Sequence, residues 1–248
     1  MGKRWQKMTT TDSEKVVGIL GGMGPEATVD LMQRIIRLTP ARDDIDHVRC
    51  IVDNNPKVPS RIKALIEGNG MDPGPCMADM GRRLESWGAD FLVIACNTAH
   101  YYYPQVDEAT EIPVINLIDL VVRRVRAAHP EEARVGILAS TAVIMTGLYE
   151  ERLREQGAEP VYPDELHQER LFKVITDIKA GNTGPGVREA FAEVCLHLAG
   201  KGAKVAVIAC TELSVIGDDL PVETVDAAEV LAGEIVAVAK GKPLTCTG

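Results

Sequence analysis

The 248-residue chain has no apolar run approaching the roughly 18–20 residues that cross a bilayer, which excludes a membrane-spanning helix. It has no basic excess either. A formal charge of −9 leaves no surface for holding nucleic acid through its phosphates. Met1 to Lys15 is polar and lacks the apolar centre of a secretory signal, and Gln6 stands where a myristoylation site needs Ser or Thr. A cytoplasmic protein is expected. The glycines at 21, 22 and 24 are not followed by Lys-Ser or Lys-Thr, so there is no P-loop. The six cysteines show neither Cys-x-x-Cys nor the Cys/His spacing of a zinc site. No metal is expected, and in a reducing compartment most cysteines should be free thiols acting as small buried hydrophobes. What remains is ordinary for a globular protein: 46% hydrophobic and 25% charged residues, long enough for one large or two small domains.

One stretch organises the rest. Phe91-Leu92-Val93-Ile94-Ala95 is apolar without alternation, as a strand buried on both faces of a parallel sheet reads, and it breaks into Cys96-Asn97-Thr98. Ligands of open α/β sheets sit beyond the carboxyl ends of strands, where Cys96 falls. Ala203 to Glu212 repeats the pattern, with Val-Ile-Ala-Cys identical at 93–96 and 207–210. Val-Gly-Ile-Leu occurs twice as well, at 17–20 and 135–138, at nearly equal intervals before Cys96 and Cys210. The chain reads as an internal duplication of an α/β unit. The expected fold is two similar α/β domains, each a parallel sheet flanked by helices, related by a pseudo-two-fold axis with the site in the cleft between them. Residues 1–116 plus 227–248 would form the first domain and 117–226 the second, the last helix packing back on the first half.

In order, a strand at 15–20 runs into Gly21-Gly22-Met23-Gly24-Pro25, and a helix follows with Ala27, Leu31, Ile35 and Leu38 on one face. Its start can hold an anion. Gly22-x-Gly24-x-x-Ala27 also satisfies a loose dinucleotide fingerprint, with Asp43 and Asp44 as ribose carboxylates. A strand at 48–52 ends in a loop stiffened by Pro56 and Pro59, from which Asn54, Asn55 and Arg61 project. Helices are expected from about 72 to Trp87, at 117–128, over 171–178, over 187–198 and at 227–239, with Thr146 to Tyr149 on a further one. Strands are expected at 112–116 and 134–138. Lys179 closes the 171–178 helix, where a lysine ordinarily complements the dipole, and Gly181 caps it.

If the halves face each other, Cys96 and Cys210 look across one small ligand. A disulfide needs closer sulfurs than a ligand-sized gap allows, and no peroxidatic or Cys-x-x-Cys context supports a redox pair. Proton transfer remains: one thiolate takes a proton from carbon and the opposite thiol returns one to the other face, which inverts a stereocentre. Such chemistry needs thiolate, and both cysteines precede expected helix starts that would lower their pKa.

Five motifs carry a resemblance: Gly-Gly-Met-Gly-Pro at 21–25, Asn-Asn-Pro-x-x-Pro-x-Arg at 54–61, Cys-Asn-Thr-Ala-His at 96–100, Lys-Ala-Gly-Asn at 179–182 and Cys-Thr-Glu at 210–212. In this order they resemble the aspartate/glutamate racemase family, in particular its cofactor-independent aspartate and broad-specificity amino-acid racemases. The resemblance implies catalysis by Cys96 and Cys210 without pyridoxal phosphate or metal. It implies that Arg61 and Lys179 bind a side-chain carboxylate, and Met23, Asn97, Thr98 and Thr211 the amino-acid core. Asn54, Thr141 and Glu212 complete the candidate site, and His100 is expected to hold its loop. The implied substrate is aspartate, then glutamate, and the implied assembly is a homodimer. Two departures bear on specificity: Lys57 where the family loop often carries Gln, and Val143 in place of a hydroxyl. A dicarboxylate decarboxylase or isomerase of the same superfamily, a binding protein without catalysis and a dehydrogenase are the competing readings.

Overall fold

A computed structural model describes residues 14–217 and 220–244; the polar tail before residue 14 and Cys246 lie outside the described residues. Two parallel sheets share one strand order. Strands β1 (Val17–Gly21), β2 (Cys50–Asn54), β3 (Phe91–Ile94) and β4 (Val114–Ile115) align as β2-β1-β3-β4. Strands β5 (Arg134–Ala139), β6 (Glu159–Val161), β7 (Val205–Ala209) and β8 (Glu223–Asp226) align as β6-β5-β7-β8. The repeated tetrapeptides thus occupy equivalent central strands, β1 with β5 and β3 with β7. The glycine in each copy has the same cause. A Cβ at Gly18 would meet Leu92 Cδ2 at 2.6 Å, and one at Gly136 would meet Ala206 Cβ at 3.0 Å, so the neighbouring strand fills the missing side chain's place in both halves.

Nine α-helices cover the sheets among the described residues: α1 (Pro25–Leu38), α2 (Gly74–Ser86), α3 (Tyr103–Asp107), α4 (Leu117–Ala128), α5 (Thr141–Met145), α6 (Glu150–Glu155), α7 (Glu165–Lys179), α8 (Pro185–Gly200) and α9 (Ala227–Ala239). Helices α2 and α3 cover one face of the first sheet, and α7 and α8 one face of the second. Between the sheets a single core joins Val17, Ile19 and Val93 of the first to Val135, Ile137 and Val207 of the second through α4 and α9. Helix α9 packs against both α1 and α4. Asn116 and Asp226 cap α4 and α9, their side chains accepting from Ile118 N and Ala228 N at 3.0 and 2.8 Å.

Some local expectations are corrected. Strand β2 begins at Cys50, two residues later than the apolar run. Residues 146–149 are a turn between α5 and α6, with Gly147 at φ +64, because the chain must reverse before α6. Cys96 and Cys210 precede short 3₁₀ turns, Thr98–Tyr102 and Leu213–Ile216, not α-helices. The proposed ribose carboxylates Asp43 and Asp44 precede β2 at its amino end, and Asp43 caps the turn Asp44–Asp46. A nucleotide would need them at the opposite end of that strand.

Arg34 of α1 ties the halves together. It donates to Asp30 at 2.6 Å, to Asp226 at 2.9 Å, to Glu229 at 2.8 Å and to the Ser214 carbonyl at 3.1 Å, with a side chain only 10% exposed. Removing a largely buried cation strands the carboxylates around it. Arg34→Leu is expected to lower the unfolding free energy by about 3 kcal/mol, measured by urea denaturation. A loss within the ±0.5 kcal/mol typical of a surface change would contradict this account of the contact.

Candidate active site

The carboxyl ends of β1, β3, β5 and β7, the central strands of both sheets, open on one cavity of about 270 Å³. That is just below the roughly 300–1,000 Å³ of drug-sized pockets and suits a small ligand. Cys96 and Cys210 both line it, each as a free thiol, 7% and 6% exposed. The other three described cysteines are elsewhere: burial pushes the thiol of Cys50 up to about 11 and that of Cys195 to about 12, and burial first, then the nearby Asp79, raises that of Cys76.

The two cleft thiols sit in different surroundings. Behind Cys96, the buried ring of His100 links its Nδ1 to the Cys96 carbonyl at 2.9 Å and accepts from Leu117 N at Nε2, 3.1 Å. These partners require the neutral Nδ1–H tautomer, and burial above all lowers the His100 pKa to about 4. The ring therefore fastens the Cys96 loop to the start of α4. Cys210 Sγ instead donates to Glu212 Oε2 at 3.1 Å. Burial first, and the Glu212 carboxylate second, hold its thiol well above the ordinary range, while Lys179 acts in the opposite sense. The expectation of thiolate-stabilising helix starts is corrected here: a four-residue 3₁₀ turn after Glu212 cannot outweigh burial beside a carboxylate.

Arg61 reaches the cavity from the loop after β2, donating from Nη2 to the Met23 carbonyl and from Nη1 to the Pro59 carbonyl, each at 3.2 Å. Its Nε is buried without an acceptor. Asn97 accepts from the buried Tyr149 hydroxyl at 2.6 Å, and its Nδ2 is likewise unpaired. Both residues line the cavity, although these two nitrogens are themselves shielded from it. Thr98 Oγ1 lies 3.1 Å from Ser140 Oγ, joining the halves across the cleft. Lys179, half exposed, pairs with Glu212 at 3.4 Å.

Of the residues expected from sequence, the structure gathers Met23, Arg61, Cys96, Asn97, Thr98, Lys179, Cys210, Thr211 and Glu212 around this cavity. Asn54 and Thr141 fall outside it. Asn54 borders a separate groove beside Gly181, at the far side of α1's first turn. Ser140 takes the N-cap of α5 and turns its hydroxyl into the cleft, so Thr141, one position on, faces a neighbouring pocket with Gln168. The two departures from the family pattern also stand clear of the ligand space. Lys57 is exposed, and Val143 is buried in the central core. The sequence reading missed Phe172, Ile175 and Thr176, which line the cavity with Lys179. Their spacing of three, four and seven residues from Phe172 is one helix face, and Lys179 was the marker that could have found it.

Comparison with known proteins bears on this geometry. The family model for Asp/Glu/hydantoin racemase matches residues 20–235. The chain belongs to that family. It is 27% identical over 232 residues to the broad specificity amino-acid racemase RacX of Bacillus subtilis, covering 90% of this chain and 97% of that protein. Among solved structures, the Picrophilus torridus aspartate racemase superposes with a TM-score of 0.80 at 31% identity, covering 91% of this chain and 94% of that one. Glutamate racemase from Francisella tularensis, in complex with D-glutamate, shares the fold at a TM-score of 0.64 and 18% identity, covering 92% of this chain and 81% of that one. Family members are isomerases, and the two-sheet architecture here is theirs.

Two measurements probe the cleft. The unfolded chain protonates a histidine near pH 6.5 while folded His100 holds out to about 4, so its contribution to stability is present above roughly pH 6.5 and is lost as pH falls toward 4. Urea unfolding over that range should show a steeper loss for the native protein than for His100→Gln; equal losses would contradict the assignment. Glu212→Gln removes the carboxylate beside Cys210, so alkylation of Cys210 by iodoacetamide, followed by peptide mass mapping, should accelerate at neutral pH. An unchanged rate would mean that Glu212 does not govern that thiol.

Proposed function

We propose that the protein racemises aspartate, with glutamate second, and that Cys96 and Cys210 are the two acid/base groups. The observation that carries this reading is the presence of two free thiols, together with Arg61, Asn97 and Lys179, on the walls of one small cavity. In this scheme one cysteine thiolate takes the Cα proton, leaving the electron pair on carbon and its carboxylate. The opposite thiol then delivers its proton to the other face. The stereocentre is inverted, one sulfur has gained a proton and the other has lost one, and no further reactant is needed. Cys210 donates to Glu212 in the substrate-free protein and is protonated there; the sulfur that acts as base is the one facing the Cα–H of the bound enantiomer, so the roles exchange between L and D. Donors fixed in a cleft of low dielectric stabilise the charge that develops on the substrate carboxylate.

The ion pair at the rim supports an amino acid with an acidic side chain. Lys179 and Glu212 pair at 3.4 Å with Lys179 half exposed and Glu212 only 12% exposed, so the carboxylate needs another cation if Lys179 leaves it. An incoming side-chain carboxylate takes Lys179 while the substrate ammonium takes Glu212, so partners are exchanged and no charge is stranded. A dicarboxylate without an ammonium leaves Glu212 unpaired. A cytoplasmic homodimer belongs to the same reading. The free thiols accord with a reducing compartment, and light scattering would measure the assembly.

Enantiopure L- and D-aspartate incubated in deuterium oxide should each lose optical rotation and gain one deuteron at Cα. Cys96→Ser and Cys210→Ser should each slow racemisation by about 10²–10⁴-fold, while slow exchange survives for the enantiomer that faces the remaining thiol. Racemisation undiminished in either variant, or carbon dioxide release without inversion, would overturn the proposal.

A further inference from the structure

One buried tyrosine of the second half reaches the loop that carries Cys96. Tyr149 is 1% exposed, and its hydroxyl donates to Asn97 Oδ1 at 2.6 Å. Burial above all raises its pKa, so the phenol keeps its proton and remains a donor. The turn that presents it is held on both sides. Gly147, at φ +64, reverses the chain before it, and its carbonyl accepts from Glu150 N at 3.0 Å. Arg152, three residues on, donates to the Leu148 carbonyl at 3.3 Å and pairs with Asp119 in the first turn of α4. Tyr149 therefore stands on a short segment that is itself fastened to the helix following the Cys96 loop.

Asn97 lines the cavity next to Cys96, and its side chain has no other polar hold among the described residues, its Nδ2 being buried without a partner. The backbone at Cys96 is fixed separately, by His100 Nδ1 on the Cys96 carbonyl at 2.9 Å. We propose, on the racemase reading of the cleft, that Tyr149 is a positioning residue of the reaction: it holds the Asn97 side chain back against the core, so that the wall beside Cys96 keeps its shape for the substrate. A buried amide without partners is costly, and the Tyr149 hydroxyl supplies the one bond that Asn97 has. When that hydroxyl is absent, the open space beside Asn97 is the cavity. An amide that turns into it finds water, occupies substrate space and uncovers Cys96. Phenylalanine in place of Tyr149 keeps the ring and its packing, so the hydroxyl alone is removed.

The test compares the native protein, Tyr149→Phe, Asn97→Ala and the double variant, all assayed well below their melting temperatures. Tyr149→Phe should lower kcat/KM for aspartate about tenfold, the loss of one hydrogen bond, chiefly through a higher KM. In the Asn97→Ala background the same substitution should cost nothing further, because the hydroxyl then has no side chain to hold. Without substrate, iodoacetamide should alkylate Cys96 severalfold faster in Tyr149→Phe than in the native protein and leave Cys210 unchanged, as read by peptide mass mapping. An unchanged kcat/KM, losses that add in the double variant, or unaltered alkylation of Cys96 would overturn the proposal. A native protein that racemises no amino acid would sink the racemase reading instead, and the alkylation of Cys96 would still decide whether Tyr149 holds Asn97 in place.

Discussion

The cleft depends on the relative orientation of two sheets, and a continuous hydrophobic core sets that orientation. Side chains from both sheets meet around α4 and α9, with Val121, Val125, Leu231 and Ile235 almost wholly buried between them. Interiors of this kind are packed at crystal-like density, so the halves cannot slide without opening voids. The polar contacts across the boundary add register to that attraction. Arg34 grips Asp226 and the Ser214 carbonyl, and Tyr149 of the second half reaches Asn97 of the first. Thr98 and Ser140 meet at the cleft floor. Burying apolar surface is non-directional, whereas these bonds hold only at one angle. Together they bring Cys96 and Cys210 to the walls of a single cavity.

The duplicated tetrapeptides made the fold readable, because an uninterrupted apolar run ending at a cysteine can occur twice only if the same strand is built twice. Helix α4 was read to its ends, since Asn116 caps it and its apolar face is regular. Other elements were illegible for physical reasons. Strand β6 is three residues long with Pro160 at its centre, which argues against a strand unless it lies at a sheet edge, as this one does. The turns after the cysteines read as helices because small polar residues open both kinds of structure. Within the cleft, the residues at the ends of central strands were found. The face of α7 was not, because Phe172, Ile175 and Thr176 look like ordinary surface or core until a tertiary partner is known. The exchange of Ser140 for Thr141 is a shift of one position at a helix start, which sequence periodicity cannot resolve.

The two halves repeat a fastening as well as a fold. Four residues after Cys96, His100 ties the following turn to the first amide of α4, the helix that Asn116 caps. Four residues after Cys210, Ser214 donates to Asp226, the residue that caps α9. In each case the loop carrying the sulfur is anchored to the helix that follows the edge strand, β4 or β8, so that thiol position is referred to the central core. The chemistry of the two anchors differs. The neutral ring of His100 bonds the Cys96 carbonyl and brings no charge, while the second half places Glu212 against the sulfur itself. A duplicated backbone therefore presents two thiols in unlike surroundings. In the proposed reaction one sulfur starts protonated and the other does not, because two thiolates offer no acid and two thiols offer no base. The side chains grafted on equivalent strand ends, and not the strands, make the two walls of the cleft chemically different.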